Sequence, residues 1–229
     1  MNCCGRHNQG LNALFNARVA EDEARAYLRQ GLDKHTRRLA EAVTARGVQG
    51  ASVLEIGGGV GGLHLELLKR GAARAVDVDV SSGYLAAAQS VAEKLSLRDQ
   101  IEYRQADFAA EAASIAEADV VLMHRVVCCY PDMPALVTAA AERARHQLAL
   151  TFPTGAWYMR LGMTLLNAGL WLTRSGYRFY VHSPAAILHT LRAAGLTLVQ
   201  QTASWPWQIV VFERAAGHPS DPDGPLSAV

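Results

Sequence analysis

This chain of 229 residues has few cysteines, no marked excess of charge of one sign and no long apolar segment near its first residue. Its 22 basic and 21 acidic residues give a net charge of +1, so no basic excess points to nucleic acid as a partner. The four cysteines form two adjacent pairs, Cys3-Cys4 and Cys128-Cys129, which predict no disulfide framework and favour a reducing compartment. The polar N-terminus shows no secretory signal. We therefore predict a cytoplasmic protein.

Internal repeats and linkers are also absent from the sequence, and 50% of the residues are hydrophobic, which suits one domain with a buried sheet. The apolar stretch from Ala156 to Leu172 approaches the length of a membrane span but is interrupted by Arg160 and Asn167. We predict a helix that packs over a substrate pocket, and no transmembrane segment. A dimer face or a peripheral contact with a membrane surface is the alternative.

From Ser52 onward the pattern alternates between strands and helices, which predicts a doubly wound, mostly parallel α/β sheet. Five strands are predicted to end near Ile56, Asp79, Tyr103, His124 and Phe152. The helices between and after them are predicted at Gly61–Arg70, Ser81–Leu95, Pro134–Ala144, Ala156–Leu172 and Pro184–Ala194. Two final strands, Thr197–Ala203 and Trp207–Glu213, predict a hairpin.

One or two helices, broken at Gly31, are predicted before the first strand. The predicted organisation is therefore a helical lid at residues 1–50 and a core at 51–215, with a helical substrate cap near 154–183. A tail at 216–229, rich in proline, glycine and charge, is predicted to be disordered.

The most informative segment is VLEIGGGVGG, residues 53–62. An apolar run, a glycine cluster and an amphipathic stretch predict a buried strand, a tight turn and a helix, with a ligand lying against the backbone. Two templates fit this turn. Gly57, Gly59 and Gly62 match the fingerprint of nicotinamide-dependent oxidoreductases, whereas Glu55, Gly57, Gly59 and Gly61 match an acid-x-Gly-x-Gly-x-Gly turn.

Glu55 favours the second template, whereas Asp79, an acid that both ligand classes use, does not discriminate between the two. Glu55 beside the turn would repel a pyrophosphate. Asp79, at the tip of the second strand, can accept hydrogen bonds from two ribose hydroxyls, and Asp77 lies deeper on the same face. Asp107 follows the third strand and has an apolar neighbour, Phe108.

This ordered series resembles the class I S-adenosylmethionine-dependent methyltransferases. The resemblance implies a seven-stranded sheet of the Rossmann-like methyltransferase fold with an N-terminal helical lid and a C-terminal β-hairpin. It also implies S-adenosyl-L-methionine as cofactor and a small-molecule acceptor, with Asp107 taking the adenine amino group and Phe108 against the ring. The cofactor-binding residues implied in this sequence are Glu55, Gly57, Gly58, Gly59, Gly61, Asp79, Val80, Asp107, Phe108 and His124.

Beyond the cofactor series, the layout is distantly similar to magnesium-protoporphyrin O-methyltransferases. The shared traits are Phe15-Asn16 before the core, Tyr130-Pro131 after the fourth strand and an apolar helix after Pro153. Cys129 stands where that family tends to have histidine, so an acceptor with a carboxyl, hydroxyl or thiol group stays open.

Three residues are candidates for the catalytic machinery: His124, Tyr130 and His182. His124 ends the fourth strand, where a histidine can act as a base, contact the cofactor or simply bond to the backbone. Tyr130 can position an acceptor, although Tyr-Pro-Asp is also turn and helix-cap chemistry. His182 can face the pocket from the lid side. We predict methyl transfer to an oxygen, or to a sulfur or nitrogen.

The cysteine pairs suggest a different chemistry. If Cys3 and Cys4 approach Cys128 and Cys129, with His7 and His124 nearby, the cluster can bind a soft metal or metalloid. Buried, inert thiols are the simpler interpretation, and we assign no metal site. A thiol or metalloid methyltransferase and a non-catalytic cofactor-binding protein therefore stay as alternatives. The sequence allows a monomer or a homodimer.

Overall fold

A computed structural model describes residues 10–11, 15–172 and 177–215. The strands in these ranges are β1 Ser52–Ile56, β2 Arg74–Asp79, β3 Ile101–Gln105, β4 Ala118–His124, β5 Ala144–Pro153, β6 Leu196–Ser204 and β7 Trp207–Arg214. Within the described residues these seven strands form one sheet in the order β3-β2-β1-β4-β5-β7-β6.

Strands β1 to β5 pair in parallel, and β7 lies antiparallel between β5 and β6. The order reverses between β1 and β4, and the carboxyl ends of these neighbouring strands create a crevice where ligands bind in open α/β sheets. The predicted fold, a doubly wound and mostly parallel sheet with a C-terminal antiparallel hairpin, is confirmed.

The helices connect the strands and cover both faces of the sheet. They are α1 Ala17–Gln30, α2 Lys34–Thr44, α3 Gly62–Lys69, α4 Ser82–Lys94, α5 Phe108–Glu111, α6 Met133–Arg143, α7 Trp157–Leu172 and α8 Pro184–Ala193. Asn16 and Asp33 cap α1 and α2 by accepting hydrogen bonds from first-turn N–H groups. Gly31 ends α1 as predicted, with a φ of 69°.

Two apolar clusters form the core, one on each face of the sheet. Alternate residues of β4 serve the two faces: Val120 and Leu122 pack with α1 to α4, whereas Val121 and Met123 pack with α5, α6 and α8. Because both faces are covered, residues 120–123 at the centre of β4 are all apolar.

Helix α7 lies within the predicted range. None of its residues is buried and none lines the cavity described below. The substrate cap near 154–183 stays a prediction. Among the described residues, no helix has both the length and the apolar character needed to cross a membrane.

Smaller differences follow from local hydrogen bonding. Strand β3 continues to Gln105, because its pairing with β2 extends to Asp79. The short helix α5 was not expected, and segment 177–182, which looked strand-like, carries no strand. Cys3, Cys4, His7 and the predicted disordered tail lie outside the described residues.

Candidate active site

The glycine turn joins β1 to α3 at the carboxyl edge of the sheet. Gly57 has a φ of 66°, and a Cβ there would lie 2.7 Å from Val126 Cγ2. A Cβ at Gly58 would collide with the carboxyl group of Asp77. The packing beneath the turn therefore requires glycine at both positions. Because glycine has no side chain, the upper face of the backbone is left open to a ligand.

Glu55 points from β1 toward the start of α3. Its Oε2 accepts hydrogen bonds from the backbone N–H of His64 at 3.0 Å and from His64 Nδ1 at 2.7 Å. Both side chains are buried, and Glu55 also lines the cavity. Glu55 thus anchors the helix that follows the turn in addition to placing negative charge beneath it.

Asp77 lies directly opposite Glu55 in the β1–β2 register and is fully buried under Gly58. Burial raises the pKa of Asp77 well above its usual range, and the nearby negative charges of Glu55 and Asp79 raise it further. Asp77 supports the turn from beneath and does not line the cavity.

Asp79 ends β2 and lines the cavity. Its Oδ1 accepts the Ser81 N–H at 2.8 Å, and its Oδ2 accepts the Gly59 N–H at 3.3 Å. Burial raises the pKa of Asp79, these N–H groups oppose the rise, and the resulting pKa is about 6. At neutral pH its carboxylate is ionised and faces the cavity as an acceptor.

Asp107 lies beyond the end of β3, in the same cavity wall as Asp79. The backbone joins the two segments, since Ala106 N–H donates to Asp79 C=O at 3.2 Å. The Tyr130 hydroxyl donates to Asp107 Oδ1 at 3.1 Å, and Phe108 is buried beside it. The two carboxylates and an aromatic face are therefore brought together, as the sequence predicted.

One cavity of about 870 Å³ extends from the glycine turn across the ends of β1, β2 and β4. This volume is near the upper end for small-molecule sites, so it accommodates a second molecule beside a nucleoside. The far wall is formed by residues that follow β4 and by the N-terminal helices. Its lining includes Leu11, Tyr27, Asp33, Thr36, Arg37, His124, Arg125, Cys128, Cys129, Tyr130, Phe179 and Trp207.

His124 lies in this wall between two threonines. Its Nδ1 is 3.0 Å from Thr151 Oγ1, and its Nε2 is 3.0 Å from Thr36 Oγ1. The Thr36 hydroxyl donates to Asp33 Oδ2, and Thr151 Oγ1 accepts the Arg125 N–H. These directions are satisfied together only when His124 carries its proton on Nε2.

Burial and the neighbouring Arg125 lower the pKa of His124 to about 3. The imidazole is therefore neutral, and both of its nitrogens already have partners. These contacts favour a positioning role that ties α2 to the end of β4, and they give no support to His124 as a general base.

Arg125 follows His124 with a left-handed φ of 62°, which is uncommon for a residue with a side chain. This backbone places its guanidinium 5.3 Å from the centre of the Trp207 ring, with Nη2 3.2 Å from Asp33 Oδ1. Strain of this kind clusters at functional sites. The result is a cationic group on an aromatic platform at the rim of the cavity.

Cys128 and Cys129 both line the cavity, with their sulfur atoms 3.9 Å apart. The Cys128 thiol lowers the pKa of Cys129, burial opposes this, and the Tyr177 hydroxyl lowers it further. One thiol of the pair is thus more readily ionised than the other. Among the described residues, no three His, Cys, Asp or Glu side chains are arranged to hold a metal ion.

Comparison with known proteins shows which kind of domain carries this cavity. A family model described as a methyltransferase domain matches residues 53–147, which include the glycine turn, Asp79, Asp107 and His124. The chain carries a methyltransferase domain. The predicted class I S-adenosylmethionine-dependent enzyme is confirmed, and with it the cofactor.

Solved structures share the fold of this methyltransferase. Magnesium protoporphyrin IX methyltransferase from Synechocystis PCC 6803, with bound S-adenosylhomocysteine, has a TM-score of 0.70 and 23% identity, covering 91% of this chain and 100% of that one. An O-methyltransferase family 2 protein from Planctomyces limnophilus, in complex with apigenin, has a TM-score of 0.66 and 19% identity. It covers 88% of this chain and 62% of that one. No curated protein sequence matched.

The residues of the methyltransferase fit its cofactor. The turn offers open backbone, Asp79 and Asp107 offer acceptors on one wall, and the acidic residues suit a ligand with an ammonium and a sulfonium. Val80 and Phe108 also line the cavity. Gly61 does not line it; with a φ of 79°, it instead allows the turn into α3.

Two of the predicted catalytic residues differ in position. Tyr130 lines the cavity, whereas His182 does not; its Nε2 lies 2.9 Å from the Tyr130 carbonyl oxygen, and its ring stacks on Tyr180. Sequence reasoning missed Arg125 and Trp207. The position of Arg125, directly after β4, was the available signal, since acceptors bind beyond the carboxyl ends of strands.

Proposed function

We infer that the protein is a carboxyl O-methyltransferase that converts a small, largely apolar organic acid into its methyl ester. The observation that carries this inference is the single cavity that joins the cofactor residues to Arg125 on Trp207. Guanidinium groups suit planar carboxylates because they donate two parallel hydrogen bonds.

The state of His124 also favours a carboxylate over a neutral hydroxyl. A hydroxyl acceptor needs a general base near its operating pH, and a histidine with a pKa of about 3 is poorly suited to remove its proton. A carboxylate is already ionised at neutral pH, so it needs no base. The chemistry then depends on orientation and on exclusion of water.

Each end of the cavity has its own task in this proposal. When bound, S-adenosylmethionine would supply an electrophilic methyl group for a carboxylate O–CH₃ bond, and the electron pair of the broken S–CH₃ bond would stay on sulfur. Asp79 would accept hydrogen bonds from the sugar, and Asp107 would accept one from the adenine amino group. Arg125 holds the acceptor carboxylate, while the apolar residues of the wall, such as Phe179, exclude water.

The test is a methyl-transfer assay with labelled S-adenosylmethionine across acids, phenols, thiols and amines. Magnesium protoporphyrin IX belongs in the panel because the Synechocystis enzyme is named for it. A methyl ester releases labelled methanol in alkali, whereas ethers, thioethers and N-methyl products do not. Turnover confined to alkali-stable products would contradict the proposal.

A matched pair of variants tests the role of Arg125. Arg125→Lys keeps the charge but loses the planar fork, so we expect the acceptor KM to rise about tenfold while cofactor affinity stays unchanged. Arg38→Lys is the control, because Arg38 bonds to Ser204 Oγ at 2.8 Å and does not line the cavity. An equal change in acceptor KM in both variants would show that Arg125 does not bind the acceptor.

The cysteine pair supports a second candidate, methylation of a soft acceptor such as a trivalent metalloid held by thiolates. Its specific observation is that Cys128 and Cys129 line the same cavity with adjacent sulfur atoms. Arsenite-dependent turnover that disappears in Cys128→Ser/Cys129→Ser, while turnover of organic acids is absent in both proteins, would favour this candidate.

A further inference from the structure

Helix α7 presents an outer apolar face that the rest of the described chain does not cover. This face consists of Trp157, Tyr158, Leu161, Leu165, Leu166, Trp171 and Leu172, together with Trp205 at the tip of the β6–β7 hairpin. Both ends are aromatic: Trp157 is 75% exposed and Trp171 is 72% exposed. A group of several large, exposed apolar side chains marks an interaction surface.

The helix that carries this face is attached on its inner side. Asn167 Nδ2 donates to the Phe179 carbonyl oxygen at 2.8 Å, and its Oδ1 accepts the Phe179 N–H at 2.9 Å. Trp205 Nε1 donates to the Tyr158 hydroxyl at 3.3 Å, which joins the hairpin tip to the helix. The hairpin tip therefore adjoins the first turn of α7, which carries the start of the outer apolar face.

The charge in the chain segment that carries this face has one sign. Residues 143–212 contain no aspartate or glutamate, and α7 lies entirely inside this range. Arg160 is exposed on α7, and Arg178 is exposed shortly after it. An apolar helical surface with cationic residues and terminal tryptophans suits the interface of an anionic bilayer, where indole rings lie at the headgroup level.

A second copy of the chain fits the same face less well. In a symmetric dimer through α7, residues 143–212 of the second copy would offer no acid to pair with Arg160. The 16 residues of α7 are about 24 Å long, so the helix can lie in the plane of a bilayer surface.

We propose that the outer apolar face docks the protein onto anionic phospholipid membranes. The contact is peripheral: α7 lies along the surface with its tryptophans and leucines in the headgroup and upper acyl region, and Arg160 and Arg178 contact lipid phosphates. This inference does not depend on the identity of the methyl acceptor.

The test is co-sedimentation of the full chain with vesicles of phosphatidylcholine, with and without 30 mol% phosphatidylglycerol (roughly the anionic fraction of a charged leaflet). We expect at least tenfold tighter binding to the anionic vesicles at low salt, weakened by added salt because the attraction is partly electrostatic. Brominated lipids should quench tryptophan fluorescence on binding.

Matched variants locate the contact. Leu161→Glu/Leu165→Glu should lower vesicle affinity at least tenfold. Val19→Glu/Leu28→Glu, with the same charge change on two apolar residues of α1 that are each 37% exposed, should not. Circular dichroism checks that both variants fold.

Other results would overturn the proposal. The first is an equal loss of vesicle affinity in the two variants, and the second is no binding of the unaltered protein to anionic vesicles. The third is a protein that does not bind vesicles but forms a dimer, which Leu161→Glu/Leu165→Glu dissociates.

Discussion

The cofactor end of the cavity is acidic, whereas the acceptor end carries arginines. At the first end, Glu55, Asp77 and Asp79 stand on two neighbouring strands beneath and beside one glycine turn. At the other, Arg37 and Arg125 line the wall. The two ends belong to one cavity, and at the second end the Asp33 carboxylate, which also lines the wall, pairs with Arg125.

The protonation states sharpen this contrast. Asp77 is fully buried and its pKa is raised well above the usual range, whereas Asp79, with a pKa of about 6, supplies an ionised carboxylate of β2 to the cavity. At the acceptor end, burial alone would raise the pKa of Asp33, but the Thr36 hydroxyl and Arg125 outweigh it and lower the pKa. The Asp33 carboxylate thus stays ionised and holds Arg125 in place.

The largest expected effect comes from removing the charge of Asp79. Asp79→Asn keeps the shape but weakens the hydrogen bonds to the sugar, so we expect S-adenosylhomocysteine affinity to fall by about 100-fold in calorimetry. Asp77→Asn is the matched control, because Asp77 lies beneath the turn and does not line the cavity; the cofactor affinity of this variant should change only a few-fold. A large loss in Asp77→Asn would mean that general negative charge, and not direct contact, decides binding.

A pH titration should give the next largest effect. The pKa of Asp79 is raised to about 6, so cofactor affinity should fall about tenfold for each pH unit below this value as the carboxylate is protonated. Asp79→Asn should show no such dependence. An unaltered protein whose affinity is flat between pH 5 and pH 7 would contradict the assignment.

The same pKa has a consequence for stability with the opposite sign. The folded-state pKa of Asp79 lies above its unfolded value of 3.8, so its contribution favours folding below that pH and is lost as the pH rises through about 6. The midpoint temperature of thermal unfolding of the cofactor-free protein should therefore fall as the pH rises over this range. In Asp79→Asn this fall should be absent.

The contrast between the two ends also explains what the sequence could reveal. The cofactor residues follow one another in chain order, each at a strand end, so their succession predicted both the site and its ligand. Arg125, Asp33 and Trp207 come from three distant segments, and only the sheet order brings them together: β7 pairs with β5 so that Trp207 faces Pro153, next to the end of β4.

Burial patterns were predictable only in part for the same reason. Strands with apolar residues on both faces predicted a covered sheet, and the structure has one. Helix α7 is equally apolar, yet its outer side is exposed. Periodicity shows that a helix is apolar, but it cannot distinguish a surface that meets its own core from one that meets another partner.

The smallest expected effect concerns His124, whose two partners distinguish positioning from base catalysis. Gln offers one donor and one acceptor, as the neutral imidazole does, so His124→Gln should retain contacts with Thr36 and Thr151 and lose less than tenfold in kcat. The pH–rate profile should be unchanged near neutrality, because a group with a pKa of about 3 does not titrate there. A loss of more than about 100-fold in kcat, together with loss of the pH-dependent limb of the pH–rate profile, would instead make His124 a general base.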